Sequence, residues 1–337
     1  MSQLFICHTQ YNLILATGLS FREDELVLFM DFNLTEELRK RLESHFSRCL
    51  FLIGNFPKKA LTVRGKLSKI VTDNRALKNF IGIYDRIFIV DDMCIQEMYA
   101  LKCVHEKNKL IEMAWLEDGA NAYFTNSYVS KGMGATPFRR FIRKILFSVR
   151  FGLYGFYDLG SCMGAHKCLK SICVCFPRNV REELANKERR EITDEQLMHG
   201  MEFMYKASPI VMEDRCVLIA LDLLSVYADS VGKVNEAIAD IVAQAKQCGR
   251  KVYCKYHPRE TEALPALADI ENLDAKIGIE SYLINTVCKN MTVVGFKSTA
   301  LQIAKKMGFE VVSLVRLIDN NCSAIVRFYT SIGIECR

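Results

Sequence analysis

"KVYCKYHPRE", residues 251–260, carries the reading of the fold. A short apolar strand, "KVYCKYHP" (251–258), ends on His257. Pro258 then fixes the next backbone angle, and Lys255 and Arg259 stand on either side. The stretch is either a surface turn or a cation-lined strand end built to hold a phosphate. Upstream lie a strand, "CVLIALDLL" (216–224), and a helical pattern, "GKVNEAIADIVAQAKQCG" (232–249). Downstream come a helix near 262–270, a helix "ESYLINTVCK" (280–289), a strand "MTVVGF" (291–296), a helix "STALQIAKKMG" (298–308) and a strand "EVVSLV" (310–315). Alternating helices and near-continuous apolar strands predict a parallel sheet covered on both faces.

The first half repeats the pattern. "QLFICH" (3–8), "ELVLFMDF" (25–32), "CLFLIG" (49–54), "DRIFIVDD" (85–92) and "LIEMAWLEDG" (110–119) read as strands, with helical stretches between most of them. One of these helices, "NLTEELRKRLESHF" (33–46), opens on an Asn or Thr cap. The fold class expected is α/β, with two Rossmann-like, doubly wound domains facing a cleft. Residues 1–178 form the first domain, 179–214 a polar connection that includes a helix at 193–207, and 215–337 the second domain. Ligands of such folds bind at the carboxyl ends of the strands.

Composition narrows the class. The chain has 337 residues, half of them hydrophobic and a quarter charged, as in ordinary globular proteins. Its fourteen cysteines are scattered, and Cys173-x-Cys175 has no second pair near it, so they read as apolar fillers in a reducing compartment. The start lacks a basic secretory n-region, and no apolar run reaches the roughly 18 residues of a spanning helix, so a cytoplasmic location is expected.

Four features sit where a strand ends. Glu117-Asp118-Gly119 closes a strand and suits a general base beside a helper carboxylate; a glycine-capped polar turn is the ordinary alternative. His257-Pro258 suits a donor to a phosphate, or a turn without a role. Ser298-Thr299 opens a helix whose free N–H groups favour an anion, although Ser and Thr also cap helices routinely. Glu280 opens another helix and suits a ribose, or merely complements the helix dipole. Taken singly, each ordinary alternative prevails. Their order along the chain suits a nucleotide-sugar site, with ribose and phosphate on the second domain and acceptor activation on the first.

These motifs, "LEDG" (116–119), "KYHP" (255–258) and "GFKSTAL" (295–301), with "CHTQYNLILA" (7–16), resemble those of bacterial two-domain (GT-B) sialyltransferases. The likeness is to the lipooligosaccharide sialyltransferases of glycosyltransferase family 52 and the capsule polysialyltransferases. It implies an inverting transferase that uses CMP-sialic acid and needs no metal or other cofactor. It implies Glu117 as the base on the acceptor hydroxyl with Asp118 beside it, and His257 at the departing CMP. Lys255, Pro258, Glu280, Ser298 and Thr299 then bind the donor. His8 and Gln10 are carried over, with Thr9, as a loop facing the cleft. Ser-Thr replaces the frequent Ser-Ser and keeps both hydroxyls. Asp91-Asp92 imitates a metal motif but is given a structural or acceptor-side role.

Charge adds one more expectation. Gly119 to Tyr157 contains no Asp or Glu, yet holds Lys131, Arg139, Arg140, Arg143, Lys144 and Arg150, equal to the net charge of +6. "FRRFIRKILFSVRF" (138–151) reads as an amphipathic helix with Phe138, Phe141, Ile142, Ile145 and Val149 on one face. Three readings stay open: contact with an anionic membrane at the inner face of the cytoplasmic membrane, contact with an anionic glycan acceptor carried on lipid or capsule, or core packing. Nucleic acid is not expected as a partner, and a homodimer is left open. The competing functions are transfer dependent on CMP-Kdo or CDP-glycerol, and silent CMP binding within a polysaccharide locus.

Overall fold

The structure is a computed structural model that describes residues 2–54, 62–124, 137–154, 156, 162–205, 210, 212–257, 259–275, 277–288, 290–319 and 322–337. Pro258 and Lys131 therefore lie outside the described residues, as do the side chains of Arg139, Arg140 and Arg143. The chain divides into two compact units, Met1–Gly200 and Met201–Arg337.

In the first unit the strands are β1 (Gln3–Cys7), β2 (Glu25–Met30), β3 (Arg48–Ile53), β4 (Arg86–Ile89), β5 (Glu112–Leu116), β6 (Ser171–Val174) and β7 (Glu188–Glu191). Among the described residues the helices are α1 (Gln10–Leu19), α2 (Glu36–His45), α3 (Val63–Phe80), α4 (Ile95–Lys107), α5 (Pro137–Phe151) and α6 (Asp194–Tyr205), the last crossing the division between units. All seven strands pair in parallel, in the order β3-β2-β1-β4-β5-β6-β7. β1 and β6 are buried along their whole length, because helices cover a parallel sheet on both sides. Trp115 in β5 is fully buried, and its indole N–H donates to the Val90 carbonyl at 2.8 Å, fixing the end of β4.

The second unit contains β8 (Val217–Ala220), α7 (Val231–Gln247), β9 (Val252–Lys255), β10 (Glu271–Asn272), α8 (Ile279–Asn285), β11 (Thr292–Gly295), α9 (Thr299–Lys306), β12 (Glu310–Ser313), α10 (Val315–Ile318), α11 (Ser323–Ser331) and β13 (Glu335–Cys336). Its parallel sheet runs β10-β9-β8-β11-β12-β13. Both sheets thus reverse strand order beside their first strand, between β1 and β4 and between β8 and β11. Such a reversal opens a crevice at the carboxyl ends of the strands.

Three elements differ from the sequence reading. The connection at 179–214 is structured: β7, "ERRE", adds an edge strand to the first sheet, and Arg190 meets Glu112 of β5 at 2.9 Å. Charged edge strands carry no apolar alternation, so periodicity passes over them. Secondly, the helix expected near 262–270 is only a short turn at Pro265–Leu267. Pro265 holds Leu264 in an extended conformation, and the Tyr256 hydroxyl accepts from its N–H at 2.9 Å. Thirdly, the helix expected over 280–289 stops at Asn285, because Thr286 turns extended and bridges to Ile210.

α6 packs on α1 through two glycines. A Cβ on Gly200 would lie 1.9 Å from the Ile14 carbonyl oxygen, and one on Gly18 would lie 2.1 Å from that of Gln196. Only hydrogen fits at either place. All fourteen cysteines are free thiols and ten are buried, as apolar fillers would be. Among the described residues, no helix is long and apolar enough to cross a membrane.

Candidate functional site

In the first unit the site grows from the β1–α1 turn. Thr9 caps α1: its hydroxyl accepts the Asn12 N–H at 3.2 Å, and the Asn12 carboxamide oxygen accepts the N–H groups of Thr9 and His8 at 3.0 and 3.2 Å. With its oxygen so occupied, the Asn12 amide donates to Asp118 Oδ1 at 3.3 Å. A helix cap therefore reaches across the sheet to the acidic motif. Asn12 is fully buried and escaped the sequence reading, although the Thr-x-x-Asn spacing of a capping box was present.

Glu117 and Asp118 are adjacent in sequence but differ in surroundings. Glu117 is fully buried, and the hydroxyls of Tyr11 and Tyr123 donate to its two oxygens. The Cys175 N–H adds a third donor at 2.8 Å. Asp118 is half-buried, held by Asn12 and by the Asn121 amide, which donates to its carbonyl at 3.1 Å. Burial raises the pKa of both acids. Tyr11, Tyr123 and Cys175 oppose it at Glu117, and Asn12 and then His8 at Asp118. Gly119 takes φ +54°, which a side chain rarely tolerates, and this explains the third member of the motif.

His8 lies where strand order reverses. Its ring sits between two carboxylates, Nδ1 at 3.2 Å from Asp31 and Nε2 at 2.8 Å from Glu97, and stacks on Phe29. Glu97 is fully buried and accepts the Val90 N–H at 2.8 Å. Burial alone would lower the pKa of His8, but Glu97 and Asp31 outweigh it and raise it to about 10. His8, Cys94 and Glu97 also place three metal-ligating atoms within 4.8 Å of one another, with both ring nitrogens already engaged by carboxylates. Gln10 is the first residue of α1 and half-buried. Asp92 is structural, accepting the N–H groups of Gly164 and His166 at 3.1 and 2.8 Å, while Asp91 lies close enough to His8 and Glu97 to feel both charges.

The His8 cluster makes a stability prediction. A histidine whose folded pKa exceeds its unfolded value stabilises fully below about pH 6.5, and that stabilisation fades as pH rises through about 10. Removing one partner of a buried ion pair costs roughly 3–5 kcal/mol. His8→Gln should therefore lower the Tm at pH 7, and the gap to the wild type should narrow as thermal melts move to pH 10. A gap that stays constant with pH would show that His8 is not the titrating group.

In the second unit, His257 follows β9 and is half-buried, and its Nδ1 accepts the Arg259 N–H at 3.2 Å. An amide N–H can only donate, so in the neutral imidazole the proton resides on Nε2. Burial, then Arg259 and Lys255, lower the His257 pKa. Lys255 is buried, with its ammonium donating to the carbonyls of Tyr256 and Ala275, each at 3.0 Å. Two of its three donors are thereby used to fix the loop after β9. Glu280, in the first turn of α8, opposes the burial that lowers the Lys255 pKa. Ser298 caps α9, its hydroxyl accepting the Ala300 N–H at 3.2 Å, and Thr299 is the first helical residue.

Asp222, after β8, is an acid that sequence reasoning passed over. It accepts the Tyr227 hydroxyl at 2.5 Å and the Lys297 N–H at 3.0 Å, so it ties the β8 end to the Ser298 turn. Its only sequence signal was a lone acid at the close of an apolar strand. His257, Glu280 and Ser298 thus come from three separate element ends of one Rossmann-like sheet.

Two Rossmann-like α/β units in one chain are the fold of the GT-B class. Solved structures share the fold. An alpha/beta-galactoside alpha-2,3-sialyltransferase from the luminous marine bacterium Photobacterium phosphoreum matches with a TM-score of 0.53 and 12% identity, over 99% of this chain and 98% of that one. The UDP-GlcNAc 2-epimerase of Neisseria meningitidis, bound to UDP-GlcNAc, matches with a TM-score of 0.54 and 11% identity, over 99% and 87%. That of Methanocaldococcus jannaschii matches with a TM-score of 0.54 and 12% identity, over 100% and 89%. The chain belongs to the alpha-2,8-polysialyltransferase (POLYST) family, whose model matches residues 40–313. No curated protein sequence matches significantly.

Proposed function

We propose that the protein transfers sialic acid from CMP-sialic acid to a hydroxyl of a cell-surface glycan, with inversion at the anomeric carbon. The second unit holds the donor. His257 Nε2–H and the Ser298-Thr299 end of α9 meet the phosphate, and Glu280 accepts from the ribose. The first unit supplies the base through Glu117–Asp118, and Asp118 is the member that solvent reaches. The C–O bond to CMP breaks as the acceptor oxygen attacks, and the proton of that oxygen passes to the acid pair. The glycan is a capsule or lipooligosaccharide chain, with a terminal sialic acid as the preferred acceptor, in keeping with the family. The family match over residues 40–313 carries this reading, because it supports sialyl transfer.

The test is incubation with CMP-sialic acid and a panel of galactosides and oligosialic acids, with products read by mass spectrometry. Sialylated product with stoichiometric CMP is expected. Release of CMP without any glycan product, or no turnover with the whole panel, would reject the reading.

A further inference from the structure

Helix α5 shows two contrasting faces. Ser148 and Phe151 are buried, and the Phe147 ring lies 5.8 Å from that of Phe151. On the opposite face Ile142, Ile145, Leu146 and Val149 are 40, 46, 60 and 60% exposed. They recur at i, i+3, i+4 and i+7, so they form one continuous aliphatic stripe in solvent. Ile142, Ile145 and Val149 belong to the face that the sequence offered for core packing, and the core takes the other side instead. Single exposed apolar side chains are ordinary on a protein surface, but an aligned stripe is not.

The charge beside the stripe has one sign. Arg150 is exposed, and by sequence spacing Arg139, Arg143 and Arg150 fall at i, i+4 and i+11, one row along the helix. No Asp or Glu occurs between Gly119 and Tyr157. We propose that α5 lies in the plane of an anionic phospholipid bilayer. Its four aliphatic side chains enter the boundary between headgroups and acyl chains, and its cations face the lipid phosphates. An anionic glycan would meet the same cations but has no use for the aliphatic stripe. A second copy of the chain would press two basic helices together with no acid in the segment to offset them. The inference stands on α5 alone and holds whichever sugar nucleotide the protein uses.

The test uses the full chain and vesicles of phosphatidylcholine with or without phosphatidylglycerol. The wild type should co-sediment with the anionic vesicles, more weakly as salt rises, and stay in solution with the neutral ones. The double variant Leu146→Glu/Val149→Glu should bind roughly 100-fold more weakly, since each buried methylene contributes about 0.8 kcal/mol. Its Tm and its turnover of a soluble acceptor should be unchanged, because both sites are exposed and outside the proposed chemistry. Failure of the wild type to bind anionic vesicles would overturn the proposal, and so would equal binding by the double variant. Light scattering that shows a wild-type dimer split by the variant would make the stripe a self-association surface instead. Loss of affinity for soluble oligosialic acid with vesicle binding intact would assign it to the glycan.

Discussion

Asp118→Asn should lower kcat/KM for sialyl transfer roughly 100-fold or more, the range for a lost general base, while leaving the Tm where it was. The substitution keeps the side chain's shape and one oxygen for Asn12, and the half-buried position loses no core packing. Glu117→Ala should lose as much activity for a second reason as well. It leaves the hydroxyls of Tyr11 and Tyr123 and the Cys175 N–H facing a cavity. Each buried donor left without a partner costs about 1–3 kcal/mol, so this variant should also melt earlier. The paired measurement, kcat/KM beside Tm, separates a proton acceptor from the residue that positions it. In the wild type, kcat/KM should fall with acidity as Asp118 is protonated, at a pH above the ordinary aspartate value of 3.8 because burial raises it. An Asp118→Asn enzyme with full activity would remove that carboxylate from the chemistry.

The fold was legible because parallel strands buried on both faces leave a strong trace in sequence. β1 and β2 stand within two residues, and β4 and β5 within three, of where their apolar runs placed them, and α7 and α9 follow helical periodicity. The misses share a cause. β7 is charged, and Pro265 with the Tyr256 contact overrides a weak helical pattern at 262–270. In the candidate site, Glu117, Asp118 and His257 stood out because they close apolar strands, whereas Asp222 closes one too and was passed over. Their partners could not be read. Tyr11 and Tyr123 meet Glu117 from 106 and 6 residues away, and Glu97 meets His8 from 89. The Tyr11 and Glu97 contacts exist only once crossovers bring distant strand ends together, and nothing in local periodicity announces any of the three. Lys255 shows the converse: it reads as a free cation beside His257, and the fold spends most of its donors on carbonyl oxygens.

His257→Ala should reduce kcat by roughly 100-fold or more while the KM for CMP-sialic acid moves much less. As the bond to the sugar lengthens, negative charge gathers on the leaving phosphate, and a fixed donor stabilises that charge more than it stabilises the bound ground state. The Arg259 N–H on Nδ1 sets the tautomer that presents Nε2–H as the donor. Burial, with Arg259 and Lys255, holds the ring's pKa below 6.5, so the free enzyme carries neutral imidazole at pH 7 and no change in His257 charge should appear in kcat/KM between pH 7 and 8. His257→Gln, whose amide can still donate, should recover part of the loss. The decisive comparison is between steps. If His257 only anchors the donor, the alanine variant will show a raised KM and a normal kcat. If it acts on the departing phosphate, saturating donor will not rescue the rate. A rate restored at saturation would confine His257 to binding.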